Sequence, residues 1–137
     1  MKKIKEILYK VPIEGVLGST SRLVTDIALD SRDVIKNGMF VAINGSERDG
    51  HDYIDKALAS GASSVVCEQL PKELNQEVVY VQVNDSRVAL GYMASNFYET
   101  PSSHLKLIGV TGTNGKTTVA TLLFDLFNNI KKKAGLI

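Results

Sequence analysis

The sequence predicts an α/β fold, in which short strands alternate with amphipathic helices along the chain. Compact apolar runs stand between turn dipeptides such as Asn37-Gly38 and Asn44-Gly45, as buried strands do. Stretches with apolar residues at helical spacing separate these runs. A glycine-rich segment lies between the last long apolar run and the last helical stretch. Strands that alternate with helices indicate an α/β architecture.

The first third of the chain predicts one helix and two strands. Residues 4–11 carry apolar side chains at helical spacing, and Pro12 ends this helix. Residues 13–25 are rich in Gly, Ser and Thr, which predicts a loop with one short strand at most. Polar and apolar residues alternate over 26–30, as in a strand, and the apolar run 39–43 predicts a buried strand.

The middle of the chain continues the alternation with one helix and two strands. Residues 53–60 show helical spacing, with Asp52 as a candidate N-cap and Gly61 as the C-terminal stop. The apolar runs 64–68 and 78–83 each predict a strand.

The last part of the chain predicts two helices around one strand. Asp85 or Ser86 can cap a helix that ends before Pro101. Residues 105–110 predict a strand, and residues 117–130 place their apolar side chains on one helical stripe.

A polar linker at residues 99–103 is the predicted boundary between two domains, residues 1–100 and residues 101–137. The second domain would hold a strand, a glycine loop, a helix and, at residues 134–137, the start of a second parallel strand. One βαβ unit cannot cover both faces of a parallel sheet. We therefore expect this domain to be truncated, with an exposed sheet through which copies of the chain can associate.

Length and composition are those of a small globular protein. The chain has 137 residues, of which 44% are hydrophobic and 23% charged, so it can bury a core. The net charge of +1 argues against a dedicated nucleic-acid binder, which normally has a strong basic excess. No window approaches the ~18 apolar residues that cross a bilayer, and the start lacks the apolar stretch of a signal peptide. We therefore expect a cytoplasmic protein that does not insert into membranes.

The segment from Gly109 to Thr118 has the features of a phosphate-binding loop and reads Gly-Val-Thr-Gly-Thr-Asn-Gly-Lys-Thr-Thr. Glycines let several N–H groups converge, and the helix that follows presents its positive N-terminus to the same place. Lys116 can reach the outer phosphates, and the Thr117 hydroxyl can ligand Mg²⁺. The strict pattern would have glycine at Val110, so the alternative is a glycine-rich turn before a helix. The order strand, loop, helix favours phosphate binding.

Two blocks of the sequence resemble the Mur ligase family. Residues 111–118 resemble the ATP loop of that family. Upstream, residues 29–32, 38–42 and 49–54 are similar, in order and spacing, to the family's N-terminal domain. The resemblance implies a UDP-sugar-recognition α/β domain, followed by the first strand, loop and helix of a P-loop ATP-binding domain.

The resemblance also implies roles for individual residues. ATP with Mg²⁺ is the implied cofactor, with Lys116 and Thr117 as catalytic residues and Thr117 as a magnesium ligand. The residues implied to bind ATP are Gly112, Thr113, Asn114, Gly115, Lys116, Thr117 and Thr118. Those implied to bind the UDP-sugar are Leu29, Ser31, Ser46, Glu47 and Arg48, of which the last three depart from the commoner family sequence. Without the resemblance, a plain turn with a surface ion pair also explains Asp30-Ser31-Arg32.

The function that the resemblance implies is that of an ATP-dependent amide ligase of peptidoglycan precursor synthesis. In the best-fitting branch, the glutamate carboxylate of UDP-N-acetylmuramoyl-L-alanyl-D-glutamate attacks ATP, and a diamino acid displaces phosphate from the acyl phosphate. Asn114 favours this branch over the one that adds the terminal D-alanyl-D-alanine, where serine is commoner. Because later sequence in the family supplies further groups, we expect this chain alone to be inactive. The alternatives are a non-catalytic UDP-sugar-binding module and a vestigial remnant.

Three other residues that can carry chemistry are predicted to be structural. His51 lies at a helix start with no second His or Cys nearby in sequence, which argues against a metal site, and His104 is equally isolated. Because Cys67 is the only cysteine, it cannot form an internal disulfide. It stands in an apolar run, which predicts a buried structural thiol.

Overall fold

The computed structural model describes residues 1–46 and 48–137, which divide into two units, Met1–Ser103 and His104–Ile137. Glu47, predicted to contact the substrate, lies outside the described residues.

A five-stranded mixed sheet forms the centre of the first unit. The strands of this unit are β1 Lys2–Lys3, β2 Ile13–Leu17, β3 Leu23–Val24, β4 Ile27–Ala28, β5 Gly38–Val41, β6 Ala62–Cys67 and β7 Val79–Val83. The order in the sheet is β2-β7-β6-β5-β4, in which β4 to β7 run parallel and β2 pairs antiparallel with β7. A separate antiparallel pair joins β1 to β3.

Three helices cover the two faces of this sheet. They are α1 Ile4–Ile7, α2 Ile54–Ala59 and α3 Ser86–Phe97. Because neighbouring side chains of a strand point to opposite faces, β5 contributes to two cores. Met39 packs with the buried residues of α1 and α3, and Phe40 packs with those of α2. This arrangement is the α/β architecture that the sequence predicts.

The caps explain where two of these helices begin. The side chain of Asp85 accepts hydrogen bonds from the N–H groups of Arg87 and Val88 at 2.8 and 2.9 Å, which confirms Asp85 as the N-cap of α3. Before α2 the prediction of Asp52 as the cap is wrong. A 3₁₀ turn, Gly50–Tyr53, precedes that helix, and Asp49 accepts from the first turn.

Three predictions for the N-terminal segment need correction. The first helix has only one turn, because the backbone leaves the helical conformation at Leu8, with ψ 4°, and Lys10 then takes a left-handed conformation with φ 59°. The predicted loop 13–25 holds two strands, β2 and β3, since pairing with β7 and β1 satisfies their backbone groups. The predicted strand 26–30 shortens to the two residues of β4.

The second unit, all of which the structure describes, contains the last residue of a 3₁₀ turn at its start and the helix α4, Lys116–Asn129. This helix agrees with the prediction for residues 117–130. The strands predicted at 105–110 and 134–137 are absent from this unit. A strand needs a neighbour to receive its backbone hydrogen bonds, and neither segment has one here. An apolar run next to turn residues is therefore not enough to predict a strand.

Within the described residues, no helix combines the length and the apolar content that a membrane span needs.

Candidate functional site

A cleft of about 290 Å³ opens at the carboxyl edge of the parallel strands β4 and β5. Parallel strands bring their carboxyl ends to one edge, and ligands of α/β folds commonly bind there. The segment after β4 contributes Leu29 to Arg32, and the segment after β5 contributes Ile43, Arg48 and Gly50. The helix α2 adds Lys56 from the far side.

Three of the five residues predicted to contact the substrate line this cleft. They are Leu29, Ser31 and Arg48. Leu29 is 53% exposed, so a ligand that covers it would remove apolar surface from water, whereas Ser31 is 4% exposed at the base of the turn. Ser46 belongs to the same loop as Arg48 but is not among the lining residues.

Asp30 and Arg32, which both line the cleft, form an ion pair. Arg32 Nε lies 3.0 Å from both carboxylate oxygens of Asp30, and the Arg32 N–H donates to Oδ1 at 2.8 Å. These bonds hold the pKa of Asp30 well below its usual range, and the side-chain bonds from Arg32 have the largest effect. The surface ion pair that is one explanation of Asp30-Ser31-Arg32 is therefore present, and it coexists with the cleft.

The charges around the cleft favour an anionic ligand. Among the described lining residues, Arg32, Arg48 and Lys56 are cationic and Asp30 is anionic. Arg32 is engaged with Asp30, whereas Arg48 and Lys56 add positive charge from the loop and from α2. Lys56 was not predicted, although it stands three residues after Tyr53, which also lines the cleft. That helical spacing is the signal that could have identified it.

Backbone contacts join the two ends of the loop that carries Arg48. Asn44 and Asp49 form an isolated antiparallel bridge, and the Gly45 N–H donates to the Arg48 carbonyl at 3.0 Å. A Cβ at Gly50 would lie 2.6 Å from the Ile43 nitrogen, so the loop can close only over a glycine. We call residues 44–49 the cleft loop.

Two side chains outside the cleft hold the ends of the cleft loop. Arg87 Nη2, from the first turn of α3, donates to the Asn44 carbonyl at 2.9 Å. At the other end, Asp49 Oδ1 lies 2.6 Å from His51 Nδ1, and His51 Nε2 accepts from the Glu68 N–H at 3.0 Å. The His51 backbone N–H, followed by its ring, lowers the pKa of Asp49. These bonds occupy both ring nitrogens of His51, which agrees with a structural role.

The phosphate loop in the second unit turns around the ammonium group of Lys116. Lys116 Nζ donates to the carbonyls of Gly112 at 2.6 Å and Thr113 at 3.2 Å. Gly112 and Gly115 both have positive φ, 149° and 74°, in a region that favours glycine. Gly115 is the N-cap of α4 and supplies no side chain, so no side-chain cap covers the first N–H groups of the helix.

The hydrogen-bond donors and the hydroxyl of this loop suit the phosphates of a nucleotide that carries a bound cation. Uncapped helical N–H groups and a lysine ammonium are donors for phosphate oxygens. Thr117, in the first turn of α4, offers a hydroxyl of the hard-oxygen type that Mg²⁺ prefers, and phosphates and waters would complete the shell. Among the described residues, no group of three or more His, Cys, Asp or Glu side chains is placed to hold a metal ion.

Cys67 is fully buried at the end of β6, and burial raises the pKa of its thiol to about 11. A thiol that keeps its proton is a poor nucleophile, so Cys67 belongs to the core and not to the site.

A family model, two curated relatives and two solved structures that resemble this chain all point to one family. Residues 23–98, more than half of the chain, match the sequence model described as Mur ligase family, catalytic domain. A UDP-N-acetylmuramoyl-L-alanyl-D-glutamate–2,6-diaminopimelate ligase of Cytophaga hutchinsonii is 51% identical over 136 residues, which are 98% of this chain and 28% of that protein. The ligase of the same name from Bacteroides fragilis is 47% identical over 135 residues, with the same coverage. The chain thus spans about 28% of the length of these curated relatives.

Solved structures agree with the sequence comparisons. The MurF ligase from Thermotoga maritima, in complex with ADP, superimposes with a TM-score of 0.54 and 32% identity over 77% of this chain and 24% of its own. A MurF from Acinetobacter baumannii has a TM-score of 0.62 over 93% of this chain and 28% of its own, and at 23% identity it shows the fold alone. With the family match over residues 23–98, these findings show that the chain belongs to the Mur ligase family.

Proposed function

We propose that the chain contains the substrate-recognition domain and the ATP loop of an amide ligase of peptidoglycan precursor synthesis. The ligase would add 2,6-diaminopimelate to UDP-N-acetylmuramoyl-L-alanyl-D-glutamate, since its curated relatives are named for that reaction. The observation that carries the proposal is the cleft at the carboxyl edge of β4 and β5, which gathers Leu29, Ser31 and Arg48. We assign substrate recognition to residues 1–100 and the start of the ATP-binding domain to residues 101–137.

The cleft suits the uridine diphosphate part of such a substrate. Arg48 and Lys56 supply positive charge for a diphosphate, and a guanidinium can donate two hydrogen bonds to phosphate oxygens. Ser31 offers a hydroxyl that both donates and accepts. Leu29 presents exposed apolar surface that a flat base or sugar face would cover. Ser46 and Glu47 remain proposed contacts because they share the cleft loop with Arg48.

The phosphate loop would hold the other reactant. When ATP binds, its phosphates would compete with the carbonyls of Gly112 and Thr113 for the Lys116 ammonium, and Thr113, Asn114 and Thr118 would add donors near the helix start. A Mg²⁺ ion with Thr117 as one ligand would offset charge on the phosphates. Phosphoryl transfer depends mainly on such positioning and charge stabilisation. The glutamate carboxylate would take the γ-phosphoryl group, and the amine of the diamino acid would then displace phosphate.

We propose further that these 137 residues bind the UDP-sugar without ligating. This chain covers 28% of the length of the relatives named for the reaction, which carry much additional sequence. The proposed reactants, a UDP-sugar and ATP, would be met in the cytoplasm.

Calorimetry on the purified chain tests the proposal. We expect binding of UDP-N-acetylmuramoyl-L-alanyl-D-glutamate that falls at least about tenfold in Arg48→Ala, a loss of ~1.4 kcal/mol. Arg22→Ala serves as the control for a lost guanidinium, because Arg22 bonds backbone carbonyls away from the cleft. No binding of this ligand by the folded wild-type chain would contradict the proposal, and substrate-dependent ADP release would contradict the lack of ligation.

The same experiment separates the alternatives. Binding of the UDP-sugar with no binding of ATP would identify a non-catalytic recognition module, and binding of neither would identify a vestigial remnant. A preference for the UDP-muramoyl tripeptide would indicate the branch that adds D-alanyl-D-alanine. The curated relatives favour the diaminopimelate branch.

A further inference from the structure

We propose that His51 is a positioning residue that holds the cleft loop, and with it Arg48, against the end of β6. This inference rests on the proposed function, because it takes the cleft loop as part of the UDP-sugar site. His51 itself does not line the cleft. Its effect would reach the ligand through the residues it holds.

The bonds around His51 assign its proton to one nitrogen. Nε2 lies 3.0 Å from the Glu68 nitrogen and 3.4 Å from the Gln69 nitrogen, and both of these are N–H donors. A ring nitrogen that accepts a hydrogen bond carries no proton, so the proton of the neutral ring is on Nδ1. That proton is donated to Asp49 Oδ1 at 2.6 Å. The ring thus links the last residue of the cleft loop to the strand end.

The strand end that receives His51 is itself fixed. Gln82 Nε2, from β7, donates to the Glu68 carbonyl at 3.2 Å. The Glu68 side chain accepts from the Ser86 N–H at 2.9 Å, in the first turn of α3. A continuous set of hydrogen bonds therefore runs from Asp49 through His51 and Glu68 to α3, and these elements pack on the buried sheet.

The opposite end of the cleft loop is tied to the same helix. Arg87, one residue after Ser86, donates to the Asn44 carbonyl. Arg48 lies between the two ties in sequence, and its carbonyl accepts a hydrogen bond from the Gly45 N–H. Without the His51 ring, the Asp49 end of the cleft loop keeps its local backbone bonds but loses its link to the end of β6, so the position of Arg48 in the cleft lining is less firmly fixed. Loss of such preorganisation weakens binding without removing any ligand contact.

The binding test compares three variants of the full 137-residue chain by calorimetry with UDP-N-acetylmuramoyl-L-alanyl-D-glutamate. We expect His51→Ala to weaken binding about tenfold. His51→Gln should recover most of the affinity, because its amide oxygen can accept from the Glu68 N–H where Nε2 does and its amide NH₂ can donate to Asp49 where Nδ1 does. His104→Ala, which removes the other histidine, should bind like the wild type. Wild-type affinity in folded His51→Ala, or equal loss in His51→Gln, would overturn the proposal.

A second measurement tests the anchor without any ligand. Long-range ¹H–¹⁵N correlation spectra of the free chain should show an unprotonated Nε2 and a protonated Nδ1 for His51. Amide exchange at Glu68 and Gln69 should be slow in the wild type and faster in His51→Ala. A protonated Nε2 in the neutral ring would overturn the inference. If the wild-type chain does not bind the UDP-sugar, the proposed function fails, and these spectra still decide whether the anchor exists. If His51→Ala does not fold, His51→Gln and the spectra decide.

Discussion

Gly50 shows at the residue scale how closely the cleft depends on single atoms. It lies where the cleft loop rejoins the fold, and its N–H donates to the Ile43 carbonyl at 2.8 Å. A methyl group at Gly50 would meet the Ile43 nitrogen at 2.6 Å and its carbonyl oxygen at 2.8 Å. Backbone atoms cannot swing aside as a flexible side chain can, so any side chain at Gly50 must displace the loop.

Gly50→Ala should therefore lower stability by about 1–3 kcal/mol and weaken UDP-sugar binding. Gly91→Ala is the matched control, because Gly91 lies inside α3 with open space around its Cα, and there alanine should stabilise by about 1 kcal/mol. Denaturant unfolding measures both changes. Equal stability of Gly50→Ala and the wild type would contradict the close approach of Gly50 to the Ile43 backbone.

Cys67 should be unreactive while the chain is folded. Its pKa is raised from an ordinary 9.0 to about 11, so at pH 8 the thiolate fraction is lower by about 100-fold. Alkylation with iodoacetamide at pH 8, followed by mass spectrometry, should be slow in buffer and fast in denaturant. Fast modification of the folded chain would show that the thiol is accessible.

The raised pKa of Cys67 also determines whether the folded chain gains or loses stability as the pH rises. The unfolded thiol ionises near pH 9.0, whereas the folded thiol keeps its proton up to about 11. The contribution of Cys67 is present below about pH 9.0 and is lost as the pH rises toward 11. Cys67→Ala should remove this part of the alkaline destabilisation.

At the scale of the elements, prediction succeeded where local signals and tertiary contacts agree. The buried strands β5, β6 and β7 were predicted within two residues at each end, because each is a compact apolar run between turns. The helix α3 was predicted because Asp85 caps it. The edge strand β2 was missed because its pattern is weak and its pairing with β7 is a long-range interaction. The strand predicted at 105–110 was wrong for the converse reason. The segment is an apolar run, but it has no neighbouring strand to pair with.

The residues of the candidate site were also predicted only in part. Leu29, Ser31 and Arg48 were predicted from motif blocks, and their meeting in one cleft follows from β4 and β5 being parallel neighbours. A structural role was predicted for His51, but its partner Glu68 could not be, because that bond spans 17 residues and depends on how the turn before α2 is placed against β6. Sequence spacing carries no signal for such a contact.

The phosphate loop and α4 lead to a prediction for ATP. Lys116→Met removes the ammonium that the loop encloses, and we expect ATP affinity to fall at least about tenfold. Lys106→Met, in the same unit but outside the loop, should leave ATP affinity unchanged, and both variants should bind the UDP-sugar like the wild type. Titration with a fluorescent ATP analogue in the presence of Mg²⁺ measures this. Equal ATP binding by Lys116→Met and the wild type would remove Lys116 from the proposed site.

At the scale of the whole molecule, the two units differ in what stabilises them. The strand β6 has six residues, all buried, and lies in the centre of the sheet. The helix α4 has 14 residues and none of them is buried. Helices of this length are marginal in water on their own, because most helix stability in proteins comes from burying one face. On α4 that face would be Val119, Leu122 and Leu126, which remain about half exposed.

Hydrogen exchange should therefore separate the two units in dilute solution. We expect slow amide exchange in β5, β6 and β7, where opening requires loss of the core, and fast exchange along α4. We predicted self-association through an exposed sheet of the second unit, but the strands of that sheet are absent there. Association with a second copy would instead cover the apolar face of α4. In that case exchange in α4 should slow as the protein concentration rises, and sedimentation velocity should show a dimer over the same range. Leu122→Lys, on that face, should abolish the concentration dependence and leave exchange in β6 unchanged. Uniformly slow exchange along α4 in a chain that sedimentation shows to be monomeric would contradict this account, because no burial of the helix would then explain its protection.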